Sequence, residues 1–213
     1  MTTLTDSRAR EAIVEHGRSL HMRGFVPGSS GNISVRLPDG FLVTPTKSCL
    51  GRLDPARIAK LDLNGQHVSG DAASKEAFLH ARMYGKRQSA NAVVHLHSTH
   101  AVAISCLRDL AGENVIRPLT AYFVMQTGNL KVLPYFPPGD EALADAVAAV
   151  AQDHHAILLA NHGPVVAGTE LDAAVYAIEE LEEAAKLDLL LEGRAVSALT
   201  AEQIADLQQR FPS

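Results

Sequence analysis

Residues 93–107 read Val-Val-His-Leu-His-Ser-Thr-His-Ala-Val-Ala-Ile-Ser-Cys-Leu, and the architecture turns on them. Val93, Val94 and Leu96 predict a short buried strand, and Ser98 or Thr99 can start a helix through Ala101 to Leu107. Side chains alternate along a strand, so His95 and His97 fall on the same face, two residues apart. Imidazoles so spaced can each bring a nitrogen to about 2.0–2.1 Å from one divalent ion. The same pair also suits histidines that face solvent or are hydrogen-bonded in a core, because two ligands do not complete a site. A third ligand has to come from elsewhere in the chain.

On the N-terminal side, the nearest expected element is a helix that begins near Ser74 and carries Ala77, Phe78, Ala81 and Met83 to Tyr84. Its first turn would hold Ser74, Lys75 and Glu76, and a carboxylate there ordinarily serves a capping box or the helix dipole. Further out, Lys60 to Leu63 predicts a strand closed by a turn at Asn64-Gly65. Leu53 to Arg57 predicts a short helix with Pro55 in its first turn. Ile33 to Arg36 and Phe41 to Val43 form a hairpin about Asp39-Gly40. Before it stands Gly28-Ser29-Ser30-Gly31-Asn32, and after it Thr44-Pro45-Thr46-Lys47. Two glycines, two hydroxyls and an amide in five residues can turn several N–H groups toward one point, as in an anion nest, or form an ordinary loop. Asp6 can cap a first helix with Ala9, Ile13, Leu20 and Met22 on its apolar face, ending near Gly24.

On the C-terminal side, residues 119–124 are apolar and contain Tyr122, and Val132-Leu133 predicts a short strand. Pro137-Pro138-Gly139-Asp140 starts an alanine-rich helix to about Gln152. Residues 156–160 and 164–167 read as two buried strands joined by Asn161-His162-Gly163. His162 is the candidate third ligand: Gly163 allows close backbone approach and Pro164 stiffens the exit, although a His-Gly turn needs no metal. A long helix from about Glu170 to Leu191 carries Glu179, Glu180, Glu182 and Glu183, expected to form a solvated or subunit-facing surface. A last short helix starts at Thr200.

The 213 residues fit one domain spanning 1–213. A net charge of −5 with no basic cluster argues against nucleic acid as a partner. Only two cysteines occur, Cys49 and Cys106, far apart and beside apolar residues, which predicts reduced thiols in a cytoplasmic protein. Asp6, Arg8, Arg10 and Glu11 leave no room for a signal-peptide core, and no apolar run is long enough to span a bilayer. A soluble protein with no membrane partner is expected.

Gly-Ser-Ser-Gly-Asn-Ile-Ser at 28–34, Thr-Pro-Thr at 44–46, Ser74-Lys75-Glu76, Val-Val-His-Leu-His at 93–97 and Asn-His-Gly at 161–163 resemble, in order and spacing, the class II aldolase/adducin family. The resemblance covers nearly the whole chain. It implies an α/β/α sandwich around a largely antiparallel sheet, and a homotetramer with active sites between subunits. It makes His95, His97 and His162 the ligands of a catalytic Zn2+, or of Mn2+ or Co2+. Glu76 becomes the acid/base, and a further metal contact in the substrate-free state. Gly28, Ser29, Ser30, Asn32, Thr46, Ser74 and Lys75 fall where related enzymes hold a substrate phosphate. Lys75 stands where fuculose-phosphate aldolase-like enzymes carry a second hydroxyl residue. Tyr122 lies near the position of a tyrosine that protonates a leaving group.

Within the family, the runs 28–36, 44–57 and 74–77 look closest to the 3-oxo-tetronate 4-phosphate decarboxylases. Such a substrate is a phosphorylated sugar acid and a β-keto acid, whose C3 carbonyl and C2 hydroxyl can chelate zinc. Loss of CO2 leaves an enediolate at C2 and C3, and protonation gives dihydroxyacetone phosphate. An aldolase reaches the same enediolate by breaking a bond to an aldehyde. The alternative is therefore a zinc aldolase acting on a sugar phosphate such as fuculose 1-phosphate, pentulose-phosphate epimerase variants included. A non-catalytic adducin-like scaffold would share the fold, but scaffolds lose the ligands that are present here. A Schiff-base aldolase would need a desolvated lysine, and only Lys47 and Lys75 lie near the expected site.

Overall fold

The computed structural model describes residues 5–107 and 115–211. Among them, eight strands form one sheet: β1 Asn32–Leu37, β2 Gly40–Val43, β3 Ala59–Asp62, β4 His67–Ser69, β5 Ala92–His95, β6 Lys131–Leu133, β7 Ala156–Leu159 and β8 Gly163–Gly168. The order across the sheet is β4-β3-β2-β1-β5-β8-β7-β6, and every neighbouring pair is antiparallel except β6 with β7. The helices are α1 Asp6–Met22, α2 Ala77–Lys86, α3 Thr99–Ser105, α4 Ala121–Thr127, α5 Glu141–Val150, α6 Leu171–Leu190 and α7 Ala201–Arg210.

Strand alternation sorts the apolar side chains into two cores. Ile33, Val35, Val94, Leu158 and Val166 pack with α1, α3, α4 and α6 on one face. Phe41, Val93, Ile157, Val165 and Ala167 pack with α2 and α5 on the other. The result is the three-layer α/β/α sandwich around a mostly antiparallel sheet that the resemblance implied. β5 lies in the interior of this sheet with all four side chains buried. By parity His95 shares the face of Val93, so it points toward the α2 layer.

Several local expectations are corrected. Thr5 caps α1, while Asp6 stands in the first turn and pairs with Arg10 and Lys60. Met22 is 78 % exposed, because two residues beyond the buried Leu20 the helix has turned to its opposite face. Residues 119–124 feed α4, whose Phe123 and Val124 are buried while Tyr122 is 65 % exposed. β4 was not foreseen: all three of its residues are exposed, so no apolar alternation marks it.

The glutamate run on α6 is not a uniformly solvated surface. Ile178, Leu181 and Ala185 face the core, and Glu182 is carried in with them. Its Oε1 accepts from the His100 N–H at 2.9 Å and from His100 Nδ1 at 2.8 Å, and its Oε2 accepts from the Ala101 N–H at 2.8 Å. A carboxylate from α6 therefore holds the start of α3 where the Ser98 hydroxyl makes no cap bond. Glu179 forms a two-pronged pair with Arg23, and Glu180 accepts from the Thr120 hydroxyl.

Candidate active site

Three imidazoles and one carboxylate converge at the end of β5. His95 is the last residue of β5, and His97 follows two residues beyond it. His162 comes from the β7–β8 turn. That turn lies directly on the backbone at 96–97: Gly163 has φ +153°, and a Cβ there would stand 2.4 Å from the Leu96 carbonyl oxygen. No side chain fits at that distance, so glycine lets His162 sit beside His97. Glu76 arrives from the α2 side of the sheet. The ligand atoms of Glu76, His95, His97 and His162 all lie within 4.8 Å of one another.

The spacing suits one metal ion. The Nε2 atoms of His95 and His97 are 3.0 Å apart, Glu76 Oε1 is 3.2 Å from His162 Nε2, and Glu76 Oε2 is 3.5 Å from His95 Nε2. Bonds of about 2.0–2.1 Å to a tetrahedral ion would separate its ligand atoms by about 3.3 Å, within this range. The tautomer agrees, because the Nδ1–H of His95 donates to the Pro164 carbonyl at 2.8 Å and leaves Nε2 bare. Burial, together with the neighbouring imidazoles, pushes His95 down to about 4 against the pull of Glu76, and burial also lowers His97. His95 is thus a neutral ligand at pH 7.

Glu76 does not cap the helix dipole as its sequence position suggested. α2 starts at Ala77, and the Glu76 side chain makes no cap bond. Instead Ser74 Oγ accepts from the Glu76 N–H at 3.3 Å, and the carboxylate turns toward the histidines. Burial pushes its proton affinity up, but the imidazoles of His95 and His162 and the hydrogen bonds from His162 and Asn32 outweigh it and hold the carboxyl well below the usual range. With His95 neutral, the hydrogen bonds carry this preference at pH 7.

A cleft of about 730 Å³ opens onto the cluster, a volume suited to a small phosphorylated metabolite. Of the expected phosphate residues, Ser29, Ser30, Asn32, Thr46, Ser74 and Lys75 line it. Thr46 and Ser74 are brought together by short pairing of their segments: the Thr46 N–H donates to Ala72 O and the Ser74 N–H to Thr44 O. Gly31, at φ +75°, passes 3.0 Å from the His95 carbonyl oxygen at the Cβ position, which draws the 28–32 loop against β5. Gly28 and Tyr122 are not among the lining residues, so the structure does not bring them to the cluster of their own chain.

Sequence reading passed over other parts of the site. Asn161, Pro138 and Thr99 also line the cleft. Beneath it, Asn32 donates from Nδ2 to Glu76 Oε2 at 2.8 Å and accepts at Oδ1 from His80 Nε2 at 2.5 Å. The Glu76, His80, Tyr84 spacing of four residues was the available signal, since it puts all three on one helical face.

The family model described as the Class II Aldolase and Adducin N-terminal domain matches residues 11–189. The 3-oxo-tetronate 4-phosphate decarboxylase of Escherichia coli strain K12 is 49 % identical over 200 residues, covering 93 % of this chain and 94 % of its own. The L-fuculose phosphate aldolase of Haemophilus influenzae is more distant, 36 % identical over 192 residues, covering 88 % and 86 %. Among solved structures, the crystal structure of YgbL from Escherichia coli superposes with a TM-score of 0.93 at 46 % identity, covering 95 % of this chain and 99 % of that one.

Proposed function

The chain belongs to the class II aldolase and adducin family, and from that membership we propose that it is a metal-dependent carboxy-lyase, converting a 3-oxo-tetronate 4-phosphate to dihydroxyacetone phosphate and CO2. The observation that carries this reading is the 49 % identity to a decarboxylase of that name over nearly all of both chains, against 36 % for an aldolase. The site chemistry agrees with it. We assign Zn2+ as the ion, with Mn2+ or Co2+ as substitutes, to His95, His97 and His162, with Glu76 as a fourth contact before substrate binds. When bound, the ion supplies Lewis-acid polarisation of the substrate carbonyl.

The chain's own residues supply the rest. Ser29, Ser30, Thr46, Ser74 and Lys75, which line the cleft, take the 4-phosphate and fix the sugar acid there. Orientation of this kind is worth several kcal/mol when the reacting geometry is held. Departure of C1 as CO2 leaves its electron pair on C2, giving the enediolate of C2 and C3. One proton must then reach C2, and we assign its delivery to Glu76, which takes it in turn from water. Because Glu76 rests as a carboxylate, it carries that proton only in passing. General acid work of this type contributes roughly 10²- to 10⁴-fold.

We further propose a single domain over 1–213, a cytoplasmic location and a homotetramer with active sites between subunits. In such an assembly the exposed Tyr122 on α4 would serve a neighbouring subunit's cleft. The test is one assay following CO2 and dihydroxyacetone phosphate from 3-oxo-erythronate and 3-oxo-threonate 4-phosphates with metal-loaded protein. Stoichiometric release of both products from one of them is the expected result. No CO2 from either, with aldehyde release from fuculose 1-phosphate, would replace the decarboxylase by an aldolase.

A further inference from the structure

Behind Glu76 lies a buried row of polar side chains that the reaction as described does not use. Glu76 just before α2, and His80 and Tyr84 on it, stand four residues apart along one face. On β1, Asn32 and Ser34 stand two apart on one sheet face. The two sets interleave as Tyr84–Ser34–His80–Asn32–Glu76. Tyr84 OH is 2.7 Å from Ser34 Oγ, Ser34 Oγ is 2.6 Å from His80 Nδ1, His80 Nε2 is 2.5 Å from Asn32 Oδ1, and Asn32 Nδ2 is 2.8 Å from Glu76 Oε2. Ser34 and His80 are fully buried, and Asn32 is 3 % exposed.

The direction of every bond in this row follows from one charge. An ionised Glu76 can only accept, so Asn32 must present Nδ2 to it and Oδ1 to His80. His80 must then carry its proton on Nε2, which leaves Nδ1 bare. The Ser34 hydroxyl donates to that nitrogen and accepts from the Tyr84 phenol. A reversed order would set Asn32 Oδ1 against Glu76 Oε2 with no proton between them. The far end is firmly held: the Tyr84 ring lies under the Arg36 guanidinium at 4.7 Å, and Arg36 donates to the Tyr84 carbonyl. Burial keeps His80 neutral, its proton affinity pushed down to about 3.

We propose that His80 is a positioning residue: by fixing the Asn32 amide through this one-way row, it holds the Glu76 carboxylate in the orientation from which it acts. Glu76 stands at the loop-to-helix junction just before α2 and makes no cap bond there. Without Asn32 its Oε2 has only the cation site to orient it, and without His80 the Asn32 amide is free to rotate. The hydrogen-bond order stands on these distances and on an ionised Glu76, and needs nothing from the reaction. Its consequence for turnover rests on Glu76 serving as the acid in the proposed decarboxylation.

The experiment compares wild type, His80→Phe, His80→Gln and Ser34→Ala. Gln can offer an N–H near the place of His80 Nε2, and Phe cannot. In metal-free protein, 15N NMR should find His80 of wild type protonated on Nε2 only, and should find the Asn32 side-chain amide ordered. The amide signals should lose that order in His80→Phe and regain it in His80→Gln. In metal-loaded enzyme, kcat of His80→Phe should fall about 10- to 100-fold, the scale of a misplaced catalytic group, with KM and bound metal unchanged, and His80→Gln should restore most of it. Ser34→Ala, which removes only a hydroxyl and keeps the fold if the Phe variant does not, should leave His80 protonated on Nε2 but less firmly held, and lower kcat several-fold. His80 protonated on Nδ1 in wild type, or a folded Phe variant with unchanged kcat, would overturn the proposal. If wild type releases no CO2 while the NMR results come out as expected, the decarboxylase reading falls and the positioning row stands.

Discussion

Replacing Glu182 by Ala removes a charged acceptor from beneath the first turn of α3, and its cost can be worked from the bonds. Two main-chain N–H groups, of His100 and Ala101, donate to this carboxylate at 2.9 and 2.8 Å, and His100 Nδ1 adds a third contact at 2.8 Å. Hydrogen bonds to a charged group contribute roughly 1.5–3 kcal/mol each, and a buried donor left unpaired keeps its desolvation cost. Ser98 offers no substitute, since its hydroxyl makes no cap bond to α3 and has no partner among the described residues. The two main-chain bonds together therefore make about 3–5 kcal/mol, allowing for some entry of water. For a chain of this size that lowers Tm by about 6 to 20 °C. α3 begins two residues after His97, so the same change should weaken metal binding about 10- to 100-fold, as loss of an outer partner does at other metal sites. The assay is thermal unfolding of metal-free protein, followed by a metal titration. Glu183→Ala is the control: its carboxylate meets Lys186 at 3.5 Å on the surface, and its loss should change stability by no more than about 0.5 kcal/mol. A Glu182→Ala protein melting within a degree of wild type, or no lower than the control, would refute the capping role.

Four more outcomes follow from the site. His97→Ala should lose bound metal and turnover together, and exhaustive chelation of wild type should abolish activity until Zn2+, Mn2+ or Co2+ is returned; full activity after chelation would remove the metal from the reaction. Glu76→Gln should keep the fold and most of the metal but lose roughly 10²-fold or more in turnover, while wild type in deuterated water should label one face of the new hydroxymethyl carbon; random labelling by wild type would take Glu76 out of the acid's role. Ser74→Ala and Lys75→Met should raise KM for the phosphorylated substrate with metal content unchanged, and should discriminate less against its dephosphorylated form; unchanged KM in both would make the loop a plain turn. His80, held near 3 when folded against about 6.5 when unfolded, takes up its proton only on unfolding between those values, so stability is full above about pH 6.5 and is lost as pH falls toward 3, by up to about 1.4 kcal/mol per unit. Urea unfolding of metal-free protein from pH 4 to 7 should show a shallower slope in His80→Gln than in wild type, and equal slopes would mean His80 does not resist protonation.

The layered fold was legible because its signals are local. Val93, Val94 and Leu96 bounded by turn residues, the Asp39-Gly40 hairpin and the 156–167 pair all became strands at or within a residue or two of their expected limits. What failed were features that depend on other segments. The glutamates of α6 read as solvated or subunit-facing from their charge. Whether Glu182 is buried, however, depends on α3 lying across that face with two N–H groups in need of an acceptor. β4 exists because an edge of β3 is open to it, through Lys60 with Ser69 and Leu61 with His67, and its own exposed residues carry no periodicity.

The site shows the same division more sharply. Four groups within 4.8 Å come from three places in the chain, and each ligand by itself had an ordinary explanation. Glu76 is the clearest case. A carboxylate at the start of a helix is there for the dipole when the helix starts where its periodicity suggests, near Ser74. The helix instead starts at Ala77, because residues 72–74 are drawn into extended pairing with 44–46 and cannot be helical. That shift of about three residues turns Glu76 from a first-turn residue into the junction itself, and points its carboxylate across the sheet end toward His95 and His162. The face of α2 beneath it then reads differently. Ala77, Phe78, Ala81 and Met83 gave the helix its apolar signal, yet the positions that bear on function are those at intervals of four from Glu76, namely His80 and Tyr84, whose polar atoms are buried with partners on β1. An apolar-face reading discards these as noise. A buried histidine pushed down to about 3 and bonded at both nitrogens is better understood as built to hold its neighbours in one order.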